Sequence, residues 1–508
     1  MVTRITTVAF RGIEAVPVDV QVQISPGLPK FTVVGLPDKA VGESRERVRA
    51  ALISSGLALP ARHIAVNLAP ADLPKEGSHY DLPIALGLMA ALGAVPADML
   101  DRYVILGELS LDGRLSHVDG ILPASIAANG MGKGIICPAE SGPEAAWASE
   151  EIDIIAVPSL LALVNHLAGR QIAARPQPGR RRSNGGEQPD LADVRGQQMA
   201  RRALEVAAAG GHNMVLVGPP GAGKSMLAAR LPSILPPLSP REMLDVSMIA
   251  SIAGELRGGV VSDARPFRNP HHSASMAALV GGGLRVRPGE ASLAHNGVLF
   301  LDELPEFQPQ ALDSLRQPLE TGELVIARAN GRVAYPARFQ LIAAMNPCKC
   351  GMAGTPGHTC KRGDKCAADY QGRISGPFLD RIDIRVDVPA VTAMEMIGDA
   401  AAAESSAAVA IRVARAREIQ RRRFIDMGAP GTFTNAQASS VQVEEMARPD
   451  SESRALLVRA AETFGLSARA YHRVLKVART LADLAGSNEV RRPHFAEALG
   501  YRVAMAGA

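Results

Sequence analysis

The sequence predicts a multidomain α/β protein, and three observations carry that expectation. At 508 residues the chain exceeds what one hydrophobic core organises. The stretch Arg175-Pro-Gln-Pro-Gly-Arg-Arg-Arg-Ser-Asn-Gly-Gly-Glu-Gln-Pro189 has no apolar period and divides it. Beyond that break, short apolar strands alternate with helical stretches, as in a parallel sheet covered by helices. The expected organisation is an N-terminal α+β domain over 1–170, a linker over 171–189, a parallel α/β core over 190–390 and an α-helical domain over 391–508.

In the first domain, Val18–Ile24 and Ile64–Leu68 alternate apolar and polar residues and read as strands. Lys39–Ser55 and Leu82–Leu92 read as helices; the uncharged run Leu82–Ala97, alanine-rich, carrying Pro83, Gly87 and Gly93 and short of about twenty strongly apolar residues, reads as a buried helix rather than a membrane span. The linker's Arg180, Arg181 and Arg182 read as a solvated tether or, alternatively, a nucleic-acid contact. In the core, strands are expected at Met214–Val217, Val298–Leu301 and Leu341–Ala344, and a helix at Met226–Leu231. From about 391 onward the pattern is almost wholly helical, with alanine and arginine abundant.

Between the first core strand and its helix lies Gly218-Pro219-Pro220-Gly221-Ala222-Gly223-Lys224-Ser225, a match to the phosphate loop at every fixed position. Glycines let successive backbone N–H groups curl around phosphates, Lys224 neutralises β and γ oxygens, and the Ser225 hydroxyl can hold Mg²⁺. The expected ligand is therefore ATP or a related triphosphate with Mg²⁺. The apolar strand at 298–301 ends in Asp302 and Glu303, as a Walker B element requires: Asp302 to hold Mg²⁺, Glu303 to orient and deprotonate the attacking water. The strand before Asn346 delivers an amide that can hold that water; the alternative is a turn former.

Composition narrows the class further. Hydrophobic residues at 47% and charged residues at 21% argue against disorder, and a net charge of +4 predicts no particular partner. Aromatic residues at 4% give poor support to base stacking. With no apolar leader in the first residues and five cysteines, a cytoplasmic protein with reduced thiols is expected, away from membranes. Four cysteines, Cys348, Cys350, Cys360 and Cys366, are spaced C-x-C-x₉-C-x₅-C, which suits a structural Zn²⁺ site; unliganded thiols or an occasional disulfide are the alternative. Lys349, Lys361, Arg362 and Lys365 surround them, to touch phosphate or to offset thiolate charge. Cys137 reads as core packing.

GPPGAGKS, GVLFLDELPEF, LIAAMNPC, SGPFLDRID and LSARAYHRVLKVART, in that order, resemble an AAA+ ATPase of the magnesium-chelatase-like group, of the ComM/YifB type, over essentially the whole chain. The resemblance extends to Asp190–Gln197, similar to the entry segment near the adenine, and to a C-x-C-G opening at Cys348–Gly351. It implies that Arg381 is an arginine finger reaching a neighbouring subunit's γ-phosphate and that Arg469 is sensor 2 on the helical lid. It also implies a ring, hexameric in this reading. Without it, either arginine reads as a surface salt bridge.

Lys75–Leu86 and Gly107–Gly120 resemble the proteolytic domain of Lon-type proteases, an S5 domain 2-like fold. The nucleophile position of that family falls on His79, one place after Ser78, and the lysine base position on Leu122, so the dyad is missing and the domain reads as a non-catalytic module.

Two loops are candidates for polymer contact: Phe267–His272 with Gly281–Arg287, and Ala327–Arg332. They bring Arg285, Arg287, Arg328 and Arg332 for sequence-independent backbone tracking, or form ordinary solvated hairpins. His271 and His272 read as polar loop residues, with metal ligation the alternative. The basic run Ile411–Arg423 reads as a solvated helix face. The function expected is an ATP-driven helicase or branch-migration translocase on branched or single-stranded DNA, serving recombination or natural transformation, with other recombination proteins as partners. A metal-chelatase motor subunit is the alternative, and a Lon-like peptidase a further one.

Overall fold

A computed structural model describes residues 2–183, 188–283, 286–328, 331–351, 353, 360, 364–391 and 404–506. It opens on a seven-stranded mixed sheet, β1 (Val2–Arg11), β2 (Glu14–Ser25), β3 (Lys30–Val34), β4 (His63–Ala69), β5 (Tyr103–Ile105), β6 (Gly134–Pro138) and β7 (Ile154–Val157), in the order β3-β4-β2-β1-β5-β6-β7. Antiparallel pairing of β1 with β2 and of β2 with β4 buries Val18, Val20 and Val22, alternate residues of one strand, beneath helices α1 (Lys39–Ser54) and α2 (Asp81–Ala91). Helix α3 (Ile121–Gly130) covers the parallel half of the sheet, and Cys137 is buried under it, its thiol pushed up by that burial.

The expected linker is not a free tether where it is described. Arg181 and Arg182 form a short parallel ladder with Val261 and Ser262, and Arg181 lies 3.7 Å from Asp263. Gly179 makes this possible, since any Cβ there would collide with the Gly259 carbonyl. The first sheet's unit and the following module are further joined by Trp147, whose indole N–H donates to Gly259 O at 2.8 Å, and by Glu144. Glu144 accepts from the Ser251 hydroxyl and the Leu122 N–H, and burial pushes its carboxyl up to about 7.

The central sheet is five-stranded and wholly parallel, as the sequence predicts. Its strands are β8 (Met214–Val217), β9 (Phe267–Arg268), β10 (Val298–Leu301), β13 (Gln340–Met345) and β14 (Ile384–Asp387), ordered β9-β10-β13-β8-β14. The antiparallel hairpin β11 (Glu323–Arg328) and β12 (Gly331–Pro336) stands apart from it. Period-two alternation sorts the strand residues between two cores. Met214, Leu216, Phe300, Ile342 and Ala344 face helix α4 (Gln198–Gly210) and the C-terminal helices, whereas Val215, Val217, Leu299, Leu301 and Ala343 face Phe307, Leu312 and Phe378.

The expected helix after the phosphate loop is broken. It runs as α5 (Lys224–Ala228) and restarts at Leu231–Ile234, because Pro232 has no N–H to continue the ladder. The described C-terminal elements are helical: α7 (Ser406–Asp426), α8 (Ser440–Ala447), α9 (Ser451–Phe464), α10 (Ala468–Leu484) and α11 (Arg492–Ala506), while α6 (Pro240–Ala253) lies between β8 and β9. Among the described residues no helix is long and apolar enough to cross a membrane.

Candidate nucleotide site at the two ends of the central sheet

Parallel strands deliver their carboxyl ends to one edge, so β8, β10 and β13 bring Gly218, Asp302 and Asn346 together there. Gly218 is pressed against Val388, where any Cβ would strike the Val388 carbonyl, and Gly221 and Gly223 take φ of 76° and 88°. Lys224 Nζ donates to Gly218 O at 2.7 Å, Pro219 O at 2.9 Å and Asn346 Oδ1 at 3.1 Å. Burial lowers the lysine's pKa, with Asp302 and Glu303 opposing the shift. The Ser225 hydroxyl donates to Asp302 Oδ2 at 2.6 Å. A hydroxyl and a carboxylate in contact beside an ammonium group hydrogen-bonded to two carbonyls and an amide oxygen suit a hard divalent cation and phosphate oxygens.

Glu303 is exposed and has φ of 52°, in the left-handed region that costs a non-glycine residue of order 1–3 kcal/mol. Its Oε2 lies 3.1 Å from Nδ1 of His272, whose ring packs on that of His271 at 4.1 Å. The pairing of Phe267 with Val298 and of Arg268 with Leu299, continued past the strand ends, brings 272 level with 303. Sequence reading missed this contact. The signal was the register between two strands separated by about thirty residues, which composition and spacing do not carry.

The cysteines follow Asn346 directly. The sulfurs of Cys348, Cys350, Cys360 and Cys366 all lie within 4.8 Å of one another, with Cys348 to Cys350 at 3.0 Å and Cys350 to Cys360 at 3.3 Å. Four thiols so gathered are a soft donor set of the number and type that suits zinc. Gly351, at φ of 78°, turns the chain against the phosphate loop, where an added Cβ would come 2.6 Å from Pro220 Cδ. Lys349 and Lys365 are exposed, while Lys361 and Arg362 lie outside the described residues.

Arg381 and Arg469 stand elsewhere. Arg381 precedes β14, and the ladder from Met214–Ile384 to Val217–Asp387 separates it from the phosphate loop by about 13 Å of strand. It is 6% exposed, bonded to Glu320 and to the Arg316 carbonyl, and burial lowers its pKa, with Glu320 opposing and Arg316, Arg469 and Arg473 reinforcing the shift. Arg469, exposed at the start of α10, lines a cavity of about 200 Å³ with Arg381, Arg473 and Lys476, and no residue of 218–225 lines it. Beneath them the Asp383 carboxylate is buried. Burial alone would raise its pKa, but Arg473, His212 and Lys476 overcome that and hold it well below the usual carboxylate range.

Other expected residues are already engaged. Arg268 pairs with Glu255 and Glu290, and Arg287 with Asp119 of the N-terminal unit at 3.1 Å. Arg332 is exposed and lines a cavity of about 720 Å³ between the two units; Arg285 and the side chain of Arg328 lie outside the described residues. In the basic run of α7, Arg412 pairs with Glu205 and Glu404, Arg417 caps the Ala208 carbonyl, and Arg421 and Arg422 pair with Glu418. At the positions expected to match the Lon-type dyad, His79 is buried, its Nε2 2.9 Å from Val8 O, Leu122 is buried in apolar packing, and Ser78 contacts Glu108.

Comparison with known proteins gives the family. The family model described as magnesium chelatase, subunit ChlI, matches residues 190–396; subunit ChlI of Mg-chelatase matches 20–141, and the ChlI C-terminal model matches 403–502. The chain is 44% identical to competence protein ComM of Haemophilus influenzae, covering 97% of this chain and 96% of that one. It is likewise 44% identical to the uncharacterized protein YifB of Escherichia coli, covering 98% and 96%. The magnesium-chelatase 67 kDa subunit of Chlorobaculum parvum is 28% identical over 30% of this chain and 23% of its own length.

Proposed function

Because the chain belongs to the magnesium-chelatase-like AAA+ proteins of the ComM/YifB type, we propose that it is an ATP-hydrolysing motor. In this reading it assembles into a hexameric ring in the cytoplasm and works on branched or single-stranded DNA as a branch-migration helicase. The observation that carries the reading is the division of polar and charged groups between the two ends of one sheet: Lys224, Ser225, Asp302, Glu303 and Asn346 at the carboxyl end, Arg381 and Arg469 at the amino end. Neither half suffices for phosphoryl transfer, and a ring that stacks one end of a protomer on the other end of its neighbour joins them.

Each residue then has a task. The loop N–H groups from Gly218 to Ser225 cradle the phosphates, with Lys224 moving from the Gly218 and Pro219 carbonyls to the β and γ oxygens. Ser225 and Asp302 would hold Mg²⁺, which when bound supplies charge neutralisation across the β and γ phosphates. Glu303 takes the proton of the attacking water, and Asn346 orients it. The neighbour's Arg381, leaving Glu320, and Arg469 meet the charge that builds on the transferring group. Cys348, Cys350, Cys360 and Cys366 hold zinc in this reading, stapling their loop against Pro220.

DNA as the substrate is supported by the similarity to a competence protein over nearly the whole chain. Exposed Arg11 and Arg332, which line the cavity between the units, contact its phosphates in this reading, and recombination proteins are the expected partners. The decisive measurement is ATPase rate with and without forked, Holliday-junction and single-stranded DNA, beside Glu303→Gln as the inactive control. Stimulation by DNA supports the motor reading; no response to DNA but stimulation by a porphyrin-chelatase partner would replace it with the metal-insertion reading that the chelatase similarity favours.

A further inference from the structure

We infer that Asn213 and Asp383 couple the state of a protomer's own triphosphate site to the arginine it lends its neighbour, an inference that rests on the reading of Arg381 as acting in trans. Asn213 is the residue immediately before β8, the strand that feeds the phosphate loop. Its side chain spans two elements: Oδ1 accepts the Leu341 N–H of β13 at 2.9 Å, and Nδ2 donates to the Arg381 carbonyl at 3.0 Å. Its backbone is held as tightly, since Asn213 N–H donates to Asp383 Oδ2 at 3.0 Å and Asn213 O accepts from the N–H groups of Asp383 at 2.9 Å and Ile384 at 3.1 Å.

The two strands gripped by this node, β8 and β13, end at Gly218 and Asn346, the residues joined through Lys224. On the other side Asp383 is paired with Arg473 of α10, which also reaches the Arg381 carbonyl at 3.4 Å. Arg473 lines the same cavity as Arg381 and Arg469. The phosphate loop is thus connected to the arginine's own backbone through part-buried hydrogen bonds of 2.9–3.1 Å and paired strands. When Lys224 leaves Gly218 O and Asn346 for a triphosphate, the bridge it adds across the carboxyl ends of β8 and β13 is lost, while the ladder from Met214–Ile342 to Val217–Met345 stays intact and carries the change along β8. Asn213 passes that change to the Arg381 carbonyl, and so to the reach of its guanidinium. Asn213 and Asp383 are positioning residues, which touch no substrate.

The test measures steady-state ATPase of full-length rings against ATP concentration, and against increasing fractions of Glu303→Gln protomers. Coupling predicts a Hill coefficient above about 1.5 for the unaltered protein, with a rate that falls more steeply than the fraction of inactive protomers. Asn213→Ala removes the side-chain bridge but keeps the backbone bonds; it is expected to retain assembly and kcat within about threefold while the Hill coefficient falls to about 1 and the mixing curve becomes linear. An unaltered protein without cooperativity, or an Asn213→Ala ring with undiminished cooperativity, overturns the inference.

Should Asn213→Ala not assemble, hydrogen exchange of the Leu341 and Asp383 amides in the Glu303→Gln ring decides. ATP is expected to change their protection by about tenfold relative to the β1 amides, and unchanged protection overturns the inference. The underlying reading fails separately, if Arg381→Ala protomers leave turnover at neighbouring sites untouched.

Discussion

The two ends of the central sheet are built from opposite materials. At the carboxyl end the functional groups sit on the glycine-rich loop and at the ends of β10 and β13, partly open to solvent, and touch one another through Lys224, through Ser225 and through the Glu303 N–H, which donates to Asp302 Oδ1 at 2.9 Å. At the amino end charges are packed: Asp383 is 4% exposed, Arg381 6%, and each is tied to partners on other elements. In the proposed reading one end exchanges its contacts for a ligand, and the other holds a cation until a neighbour presents phosphate. Preorganisation at the amino end costs desolvation, which the ion pairs with Glu320 and Arg473 offset.

The sharpest way to break this contrast is at Glu303. Glu303→Gln should lower turnover by about 10³-fold while leaving ATP affinity nearly unchanged, since in the proposed function the residue acts on water and not on phosphate. Nucleotide binding measured beside steady-state hydrolysis checks this; equal losses in both would make Glu303 part of the binding surface instead.

At the other end Arg381→Ala is expected to cost a comparable factor, about 10³. The difference between the ends appears in mixtures: Arg381→Ala and Lys224→Ala protomers, each inactive alone, should recover turnover together, because an intact loop meets an intact arginine across a subunit boundary. No recovery in mixed rings of confirmed composition would remove the division of labour.

Acid should loosen the packed end. His295, whose Nδ1 accepts the Arg338 N–H just ahead of β13, is held neutral by burial, and its pKa falls to about 4. The unfolded chain takes up that proton from about 6.5 downward and the folded chain only near 4, so the contribution is fully present above 6.5 and is lost as pH falls through that window. The loss is on the order of 3 kcal/mol between pH 6.5 and 4. Urea unfolding at several pH values reads it, and His295→Gln should flatten the dependence. An identical slope in the variant would assign the acid sensitivity to other groups.

The smallest expected effect is at the cysteines. Cys350→Ser, or removal of zinc by a chelator, should raise the KM for ATP on the order of tenfold with little change in kcat, because Gly351 packs on Pro220 of the phosphate loop rather than on Glu303. Elemental analysis for stoichiometric zinc tests the same site without relying on activity.

Legibility followed the same divide. Gly218–Ser225, Asp302, Glu303 and Asn346 are readable because each depends on residue types at fixed local spacing after an apolar strand. The strands Met214–Val217 and Val298–Leu301 run as the apolar pattern predicts. Four features were not readable: the contact of His272 with Glu303, the shared cavity of Arg381 and Arg469, the Asn213–Asp383 bonds, and the docking of Arg181 on Val261. The last overrides a composition that reads as an unstructured tether, because a glycine at 179 allows a backbone approach that no local pattern announces.

The amino acids in order thus determine that the chain makes a phosphate loop and a parallel sheet to carry it, since glycine conformations, strand alternation and helix-forming runs are settled within a few residues. Which arginine lies beside which carboxylate, and at which end of the sheet, was decided only when strands distant in sequence paired in register. Electrostatic partnership depends on distances of a few ångströms between elements, and those distances come into being only with the packed core.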